Sequence, residues 1–261
     1  MERRLGVRLV NRTSRSVTLT AAGEELLASL DAPFAAIGSA LDGLNRHREP
    51  GNAAGRIRLN VLEHASTLLL APVLPLFSER HPQVEIDVRV SNDLLDVVDA
   101  GADAGIRYGG TVPQEMVAQR LSADLRWVVV GAPFYLDRRG TPDHPRDLLA
   151  HPCLRIRLGD ERLYRWEFER AGEQFALDVP GAVTIDNTQF AISLAAAGGG
   201  LAYLPEPCIS PLVARGELRV VLPDWAPIGA GFHIYYPGRS QLPTGLRLLI
   251  DLIREMRPLG L

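Results

Sequence analysis

Apolar residues in the first part of the chain follow two different periods. Residues 1–20 alternate between apolar and polar positions on either side of a polar tip at residues 11–15, which predicts a small two-stranded hairpin. From Ala21 to Asn45 large apolar residues recur at intervals of three and four, a period of 3.5 that predicts an amphipathic helix. Thr20 precedes this helix as its expected N-cap. The apolar seam consists of Leu27, Leu30, Phe34, Ile37, Leu41 and Leu44.

This seam needs a surface to cover it. On a helix of about 37 Å, at 1.5 Å per residue, it would expose several large apolar side chains to water. Two alternatives are open: the seam packs on the body of the same chain, or it pairs with a second copy. The length of the seam in a short N-terminal segment favours a second copy, so we expect a homodimer or homotetramer. Pro33 lies inside the run and is expected to kink the helix.

The pattern changes after a polar linker at residues 46–55. Strands then alternate with helices over short connections, which predicts parallel pairing in an open α/β sheet. The predicted strands are Arg56–Val61, Val84–Val90, Gly105–Tyr108 and Trp127–Val130, and the predicted helices are Ser66–Arg80 and Leu94–Ala100.

The chain is expected to leave this sheet near Gly131 for a second unit. Strands are predicted near Leu154–Leu158, Ala182–Ile185, Leu201–Tyr203 and Arg219–Val221, with helices near Arg146–Ala150, Asn187–Ala197 and Glu206–Arg215. His233–Tyr236 and the amphipathic helix Thr244–Met256 can return to the first unit. The predicted fold is therefore α/β, with subdomain I at residues 56–130 and 236–261 and subdomain II at residues 131–235. Two subdomains joined by two crossing segments enclose a cleft that opens and closes on a small ligand.

Charge divides the chain in the same way. Residues 1–20 carry five arginines and one acid, whereas the whole chain has a net charge of −3. A basic start on an acidic body indicates that only the first segment faces nucleic acid. The chain contains no run of about 18 apolar residues and no secretory signal, so we expect a cytoplasmic protein without a membrane partner.

Cysteine and histidine spacing gives no sign of redox or metal chemistry. Cys153 and Cys208 are far apart and lack a CxxC pattern, so we expect free thiols. His81, His144 and His151 each precede a proline, which is typical of turns rather than of metal ligands. Neither a metal nor a cofactor is expected.

Residues 5–27, LGVRLVNRTSRSVTLTAAGEELL, resemble the wing and the start of the linker helix of LysR-type transcription regulators. The stretches DVVDAGADAGIRYG at residues 96–109 and LAAAGGGLAYLPE at residues 194–206 are similar to sequences of the effector domain of that family. The resemblance implies two Rossmann-like subdomains of the type 2 periplasmic-binding-protein fold, a promoter DNA partner and a small-molecule effector. It also implies that most of a helix-turn-helix, expected before Leu5, is missing here.

The candidate DNA contacts are arginines of the wing. Arg8, Arg12 and Arg15 are placed there to contact phosphate or the minor groove, which gives salt-dependent affinity with little sequence readout. A basic hairpin that is merely solvated is the alternative.

The candidate effector contacts lie at two helix starts. Hydroxyls and free backbone N–H groups are expected to converge at Ser66 and Thr67 and again at Asn187 and Thr188, with Asp186 as the N-cap of the second helix. Simple helix capping is the alternative role for these residues.

Further candidate contacts come from the resemblance, which adds Arg107, Tyr108 and Arg155. Because arginine pairs bidentately with carboxylates, an acidic effector is favoured. Trp166 can stack on a ligand ring or fill the core, and Tyr203 is expected in the core with its hydroxyl bonded.

Two other classes of function fit the sequence less well. An enzyme is disfavoured because His64 and Ser66 lack a third orienting group and the glycines lack phosphate-loop spacing. A solute-binding protein of a transport system has the same two-subdomain cleft, but it needs an export signal and has no use for a basic wing. The sequence thus favours an effector-sensing transcription regulator.

Overall fold

The computed structural model describes residues 2, 6–12, 17–43, 53–92, 101–113, 115–237 and 242–261. The strands are Val10–Arg12 (β1), Val17–Leu19 (β2), Gly55–Val61 (β3), Val84–Val90 (β4), Ala104–Tyr108 (β5), Met116–Arg120 (β6), Leu125–Gly131 (β7), Arg155–Ile156 (β8), Trp166–Arg170 (β9), Glu173–Leu177 (β10), Thr184–Ile185 (β11), Ala202–Pro205 (β12), Arg219–Val221 (β13), Ile228–Gly229 (β14) and Phe232–Pro237 (β15). The α-helices are Ala21–Gly43 (α1), Glu63–Ala65 (α2), Leu74–Arg80 (α3), Pro133–Arg139 (α4), Thr188–Ala196 (α5), Glu206–Ala214 (α6) and Thr244–Met256 (α7). A π-helical turn at Ser66–Leu70 continues α2, and 3-10 turns form at Gly109–Thr111, Pro145–Ala150 and Pro223–Trp225.

The N-terminal hairpin and the cap of α1 are confirmed. Strands β1 and β2 pair antiparallel, and the Thr20 hydroxyl accepts the Gly23 N–H at 3.1 Å. A Cβ at Gly23 would lie 2.1 Å from the Leu9 carbonyl oxygen, so the hairpin packs against the helix where a side chain has no room. The tip of the hairpin, at residues 13–16, lies outside the described residues.

Helix α1 leaves part of its apolar seam in solvent. It is described from Ala21 to Gly43 and contains Pro33, and the last two residues of the predicted helix lie outside the described residues. Leu27 and Ile37 are 59% and 55% exposed, so in a single copy these two positions are not covered by the body of the chain. The side chains of Phe34, Leu41 and Leu44 lie outside the described residues, and the kink at Pro33 stays a prediction.

The first sheet has five strands in the order β4-β3-β5-β15-β6. Strand β3 pairs parallel with β4 and β5, as the alternating pattern predicted, whereas β15 pairs antiparallel with β5 and β6. Helices α3 and α7 and the π-helical turn bury their apolar faces against this sheet around Phe77, Phe232 and Leu249. The return of β15 and α7 to the first unit is thereby confirmed, while the helix predicted at Leu94–Ala100 lies outside the described residues.

The second sheet is built on β7, which pairs antiparallel with β12, β13 and β14. The prediction that Trp127–Val130 belongs to the first sheet is therefore wrong. A short apolar run such as Trp127–Val130 indicates a strand, but it does not specify which strands that strand pairs with. One face of this sheet packs on Tyr135, Trp166 and Trp225, and the other packs on α5 and α6 through Ile192 and Ile209.

Two short segments connect the sheets and bind each other. Residues 121–124 lead from β6 to β7, and residues 230–231 lead from β14 back to β15. The Phe232 N–H donates to Ser122 Oγ at 2.8 Å, and the Gly231 N–H donates to Asp124 Oδ1 at 3.1 Å. A Cβ at Gly231 would lie 2.0 Å from the Ala123 carbonyl oxygen, so glycine is required for this close approach.

The part of the chain that the structure describes has no helix with both the length and the apolar content to cross a bilayer.

Candidate functional site

A cavity of about 430 Å³ lies between the two sheets. Residues at the ends of β3 and β5 line one side, and residues of β7 and β12 line the other. Gly229 of β14 and Ala230 of the connecting segment also line it. Its position between two units joined by short crossing segments is typical of a small-molecule site.

The wall of the cavity is largely aromatic. The ring of Trp127 stacks on that of Tyr203, with centroids 5.3 Å apart and 22° between planes. Tyr164 stacks on the same Tyr203 ring at 6.0 Å, and Tyr108 meets Trp127 at 5.5 Å and 60°. Tyr203 is 2% exposed, and its hydroxyl donates to the Glu167 carbonyl oxygen at 3.1 Å, as expected for a core tyrosine. Tyr108, Trp127 and Tyr164 are half-buried and present flat apolar surface to the cavity.

A buried histidine is also part of this wall. His64 Nδ1 lies 2.5 Å from the Tyr108 hydroxyl, and only 8% of His64 is exposed. Burial lowers the pKa of His64 to about 4, with the neighbouring Glu63 carboxylate acting weakly in the opposite direction. Burial also raises the pKa of Tyr108 well above its usual value. Both groups are therefore neutral near pH 7, and we assign the bond as Tyr108 O–H donating to the imidazole nitrogen.

Arginines lie at the edge of the cavity, but they differ in their partners. Arg107 is 2% exposed on β5, and its guanidinium donates to Asn60 Oδ1 at 3.0 Å and to the Ile106 carbonyl oxygen at 3.2 Å. Arg157 instead forms an ion pair with Glu161 at 2.7 Å, and Arg162 pairs with Asp160. Arg107 is thus a buried cation in the cavity wall, whereas the side chains of Arg157 and Arg162 are exposed.

The first helix start differs from the prediction because the helix begins earlier. Glu63, and not Ser66, opens the helical segment, so Ser66 and Thr67 lie in its second turn. The Ser66 hydroxyl donates to the Glu63 carbonyl oxygen at 2.7 Å, and the Thr67 hydroxyl donates to the His64 carbonyl oxygen at 3.2 Å. Neither residue lines the cavity. Their hydroxyls bond back to the helix, which competes with binding a ligand.

The second helix start also differs by one residue. Asn187, not Asp186, is the N-cap of α5, since its Oδ1 accepts the Phe190 N–H at 2.7 Å. The next two N–H groups, of Thr188 and Gln189, donate to the carboxylate of Glu63 at 2.8 and 3.1 Å. The position at which an anion was expected is therefore filled by a carboxylate of the chain itself.

The structure brings together some of the predicted contacts and not others. Arg107, Tyr108 and Thr188 line the cavity, whereas Asn187 and Arg155 do not. Beside Arg155, the residues that line it are Ile156 and Arg157. Trp166 has no exposed surface and packs against Tyr203, so of its two possible roles it fills the core.

The predicted DNA contacts are described only in part. Arg8 is exposed in the loop before β1. The side chain of Arg12 and the whole of Arg15 lie outside the described residues.

The sequence did not predict most of the residues that line the cavity, among them Trp127 and Tyr164, or the neighbouring Glu63. Trp127 and Tyr164 were not singled out because aromatic residues in a strand or loop are more often core than contact. Glu63 carried a usable signal, since an acid that follows a buried strand and precedes an apolar helical run sits where a helix dipole favours it.

Neither cysteine shows features of a reactive thiol. Cys153 and Cys208 are both free, as predicted, and burial raises the pKa of each thiol to about 12. Among the described residues, no group of three or more His, Cys, Asp and Glu side chains is placed to hold a metal ion.

Comparison with known proteins gives one consistent family. Residues 50–258 match the LysR substrate binding domain. A Pseudomonas aeruginosa protein named as a transcriptional regulator is 35% identical over 262 residues, which cover 100% of this chain and 85% of that protein. The transcriptional regulator PgrR of Escherichia coli is 33% identical, with 97% of this chain and 85% of PgrR covered.

Solved structures of regulators of the same type share the fold. A full-length AphB variant is 25% identical with a TM-score of 0.75, covering 97% of this chain and 84% of that one. CrgA of Neisseria meningitidis, a LysR-type regulator, is also 25% identical, with a TM-score of 0.68 and coverages of 98% and 86%. The α/β architecture is thus that of a type 2 periplasmic-binding-protein-like regulatory domain, and a transport solute-binding protein is not favoured. The chain belongs to the LysR family of transcriptional regulators.

Proposed function

We propose that the chain senses a small aromatic carboxylate in the cavity between its two sheets. The observation that carries this proposal is the aromatic wall of Tyr108, Trp127 and Tyr164 around a cavity of about 430 Å³. We also propose that the two subdomains divide at the connecting segments, residues 121–124 and 230–231, rather than at residues 131 and 236, and the strand pairing supports this division.

The shape and chemistry of the wall favour a flat ring. Trp127 and Tyr164 are both stacked on Tyr203, so their ring planes are held before a ligand arrives. Aromatic pairs contribute about 0.5–1.5 kcal/mol beyond the burial of their area. Because these side chains are already held in place, binding a ligand ring against them costs less conformational entropy than binding to side chains that must first become ordered.

Arg107 supports a carboxylate on that ring. Its guanidinium is buried and belongs to the lining of the cavity, with the Asn60 and Ile106 oxygens among its hydrogen-bond acceptors. A charge-assisted hydrogen bond contributes about 1.5–3 kcal/mol. We assign Arg107, Tyr108 and Thr188 as contacts because they line the cavity, while contacts from Ser66, Thr67, Asn187 and Arg155 stay predictions.

The remaining parts of the proposal concern the partners. Regulators of this family bind DNA, take small-molecule effectors and form oligomers. For this chain we propose promoter DNA contacts through Arg8, Arg12 and Arg15, pairing of two copies through α1, and a place in the cytoplasm, where the DNA lies. We also propose that the chain is not an enzyme and that its cavity binds its ligand without changing it.

Thermal unfolding in the presence of small aromatic acids, each matched with its amide, tests the proposal. A ligand at about 100 times its dissociation constant adds about 2.7 kcal/mol, which in a chain of this size raises Tm by about 5–10 °C. Trp127→Leu should abolish the shift. Phe134→Leu, an exposed ring outside the cavity, should leave it intact.

Two results would contradict the proposal separately. If amides stabilise the chain as well as acids do, the ligand is not recognised by its charge. If Trp127→Leu retains the full shift, the ligand does not bind in this cavity.

A further inference from the structure

Glu63 joins the two sheets through its side chain. It is the first residue of α2, and only Leu62 separates it from the strand β3 of the first sheet. Its carboxylate accepts the Thr188 N–H at 2.8 Å, the Gln189 N–H at 3.1 Å and the Asn187 side-chain amide at 3.2 Å. All three donors belong to the start of α5, which packs on the second sheet. A single carboxylate thus holds three donors across the mouth of the cleft.

A second bridge runs beside the first. The Asn92 side-chain amide donates to the Asp186 carbonyl oxygen at 2.7 Å, and its oxygen accepts the Glu63 N–H at 3.3 Å. Asn92 follows β4 of the first sheet, and Asp186 immediately precedes the cap of α5. Glu63 and Asn92 therefore fasten the same edge of the second unit from two neighbouring strands of the first.

The helix geometry makes the Glu63 contact stronger than an ordinary surface bond. The first N–H groups of a helix have no partner within the helix, and its N-terminus carries a partial positive charge. Asn187 caps α5 from within the same helix by binding the Phe190 N–H. The N–H groups of Thr188 and Gln189 are left over, and Glu63 supplies the negative charge that suits them.

We propose that Glu63 is a latch that holds the cleft closed. This proposal rests on the proposed function, the binding of an effector between the two sheets. Opening of the cleft to admit that effector must break the Glu63 contacts. Because Glu63 lies on one unit and its donors lie on the other, the latch bonds cannot survive separation of the two sheets. The chain's own carboxylate thus sets the balance between closed and open forms.

Residue-resolved amide hydrogen exchange of the full 261-residue chain, without ligand, measures the latch directly. The Thr188 and Gln189 amides should be protected in the wild type and should exchange ~10-fold faster or more in Glu63→Ala, the effect of losing about 1.4 kcal/mol. The Phe190 amide, which binds Asn187, should change little and serves as the internal reference. Glu85→Ala, an acid in β4 of the same sheet, is the matched control and should leave all three rates unchanged.

A second variant separates a latch from a simple cap of α5. Asn92 does not touch the Thr188 or Gln189 amides, but it fastens the same edge. In a latch both bridges open together, so Asn92→Ala should also speed exchange at Thr188 and Gln189. If the exchange rates of the Thr188 and Gln189 amides are unchanged in Glu63→Ala, the latch proposal is wrong. If they are unchanged in Asn92→Ala, Glu63 only caps α5 and does not hold the cleft closed. Neither exchange measurement uses an effector. Failure to find a stabilising acid would therefore contradict the proposed function without bearing on the exchange results.

Discussion

Acid should destabilise this protein through one buried histidine. The His64 imidazole is 8% exposed and close to the Tyr108 hydroxyl, and burial lowers its pKa to about 4. In the unfolded chain its pKa returns to about 6.5. Between these two values the unfolded chain binds a proton that the folded chain does not, so the free energy of unfolding falls as pH drops from about 6.5 towards 4.

The size of the effect follows from the two pKa values. One pKa unit corresponds to about 1.4 kcal/mol, and about 1.4 units of the difference are expressed between pH 7 and pH 5. His64 should therefore remove about 2 kcal/mol of stability over that interval. This is a large part of the roughly 5–15 kcal/mol that holds most domains folded.

Urea unfolding measures the contribution of His64 to the loss of stability between pH 7 and pH 5. The wild type and His64→Gln are compared at both pH values. Glutamine can accept the Tyr108 hydroxyl but does not titrate, so the variant should lose about 2 kcal/mol less than the wild type on going to pH 5. His81 and His151, whose pKa values burial also lowers, are present in both proteins and cancel in the comparison. Equal losses in the two proteins would refute the assignment of the neutral buried imidazole.

Three further predictions concern association, DNA and the connecting segments. A fragment that begins at Gly55, and so lacks α1, should associate less in sedimentation than the full chain; unchanged association would place the interface on the two-sheet unit. Binding to promoter DNA should be weak and salt-dependent, and a preference above about 1,000-fold for the promoter over a scrambled fragment would contradict it. Gly231→Ala places a Cβ against the Ala123 carbonyl oxygen and should cost about 1–3 kcal/mol in urea unfolding. Gly110→Ala, which has open space around its Cβ, should cost less than 1 kcal/mol, and similar losses would refute this reasoning.

Much of the fold could be predicted because it depends on local periodicity. Some elements have a periodicity that is complete within their own residues. They are the hairpin before Thr20, the helix Thr244–Met256 and the strands that pair in parallel around β3. The strand at β7 was predicted as a strand but assigned to the wrong sheet. Its pairing with β12 and β13 depends on residues more than 70 positions away, which no local period records.

Only those parts of the site could be predicted in which the position of a single residue in its strand determines whether it lines the cavity. Arg107 and Tyr108 line the cavity as the resemblance implied. The two helix starts were predicted at the wrong residues, because a cap depends on which residue first adopts helical geometry. The first helix begins at Glu63 rather than at Ser66, and the N-cap of the second is Asn187 rather than Asp186. The contact between Glu63 and α5 joins residues 125 positions apart, so no spacing in the sequence reveals it.

Methyl NMR with the most stabilising aromatic acid tests the central claim most directly, because it shows where the ligand lies. On titration, the methyl signals of Leu62, Leu158 and Leu204, which line the cavity, should shift through the ring current of the ligand. Those of Leu149 and Leu261, exposed and outside the cavity, should stay in place. The amide of the same acid should give smaller shifts at equal concentration. Shifts confined to Leu149 or Leu261, with the cavity signals unmoved, would contradict a ligand held between the two sheets.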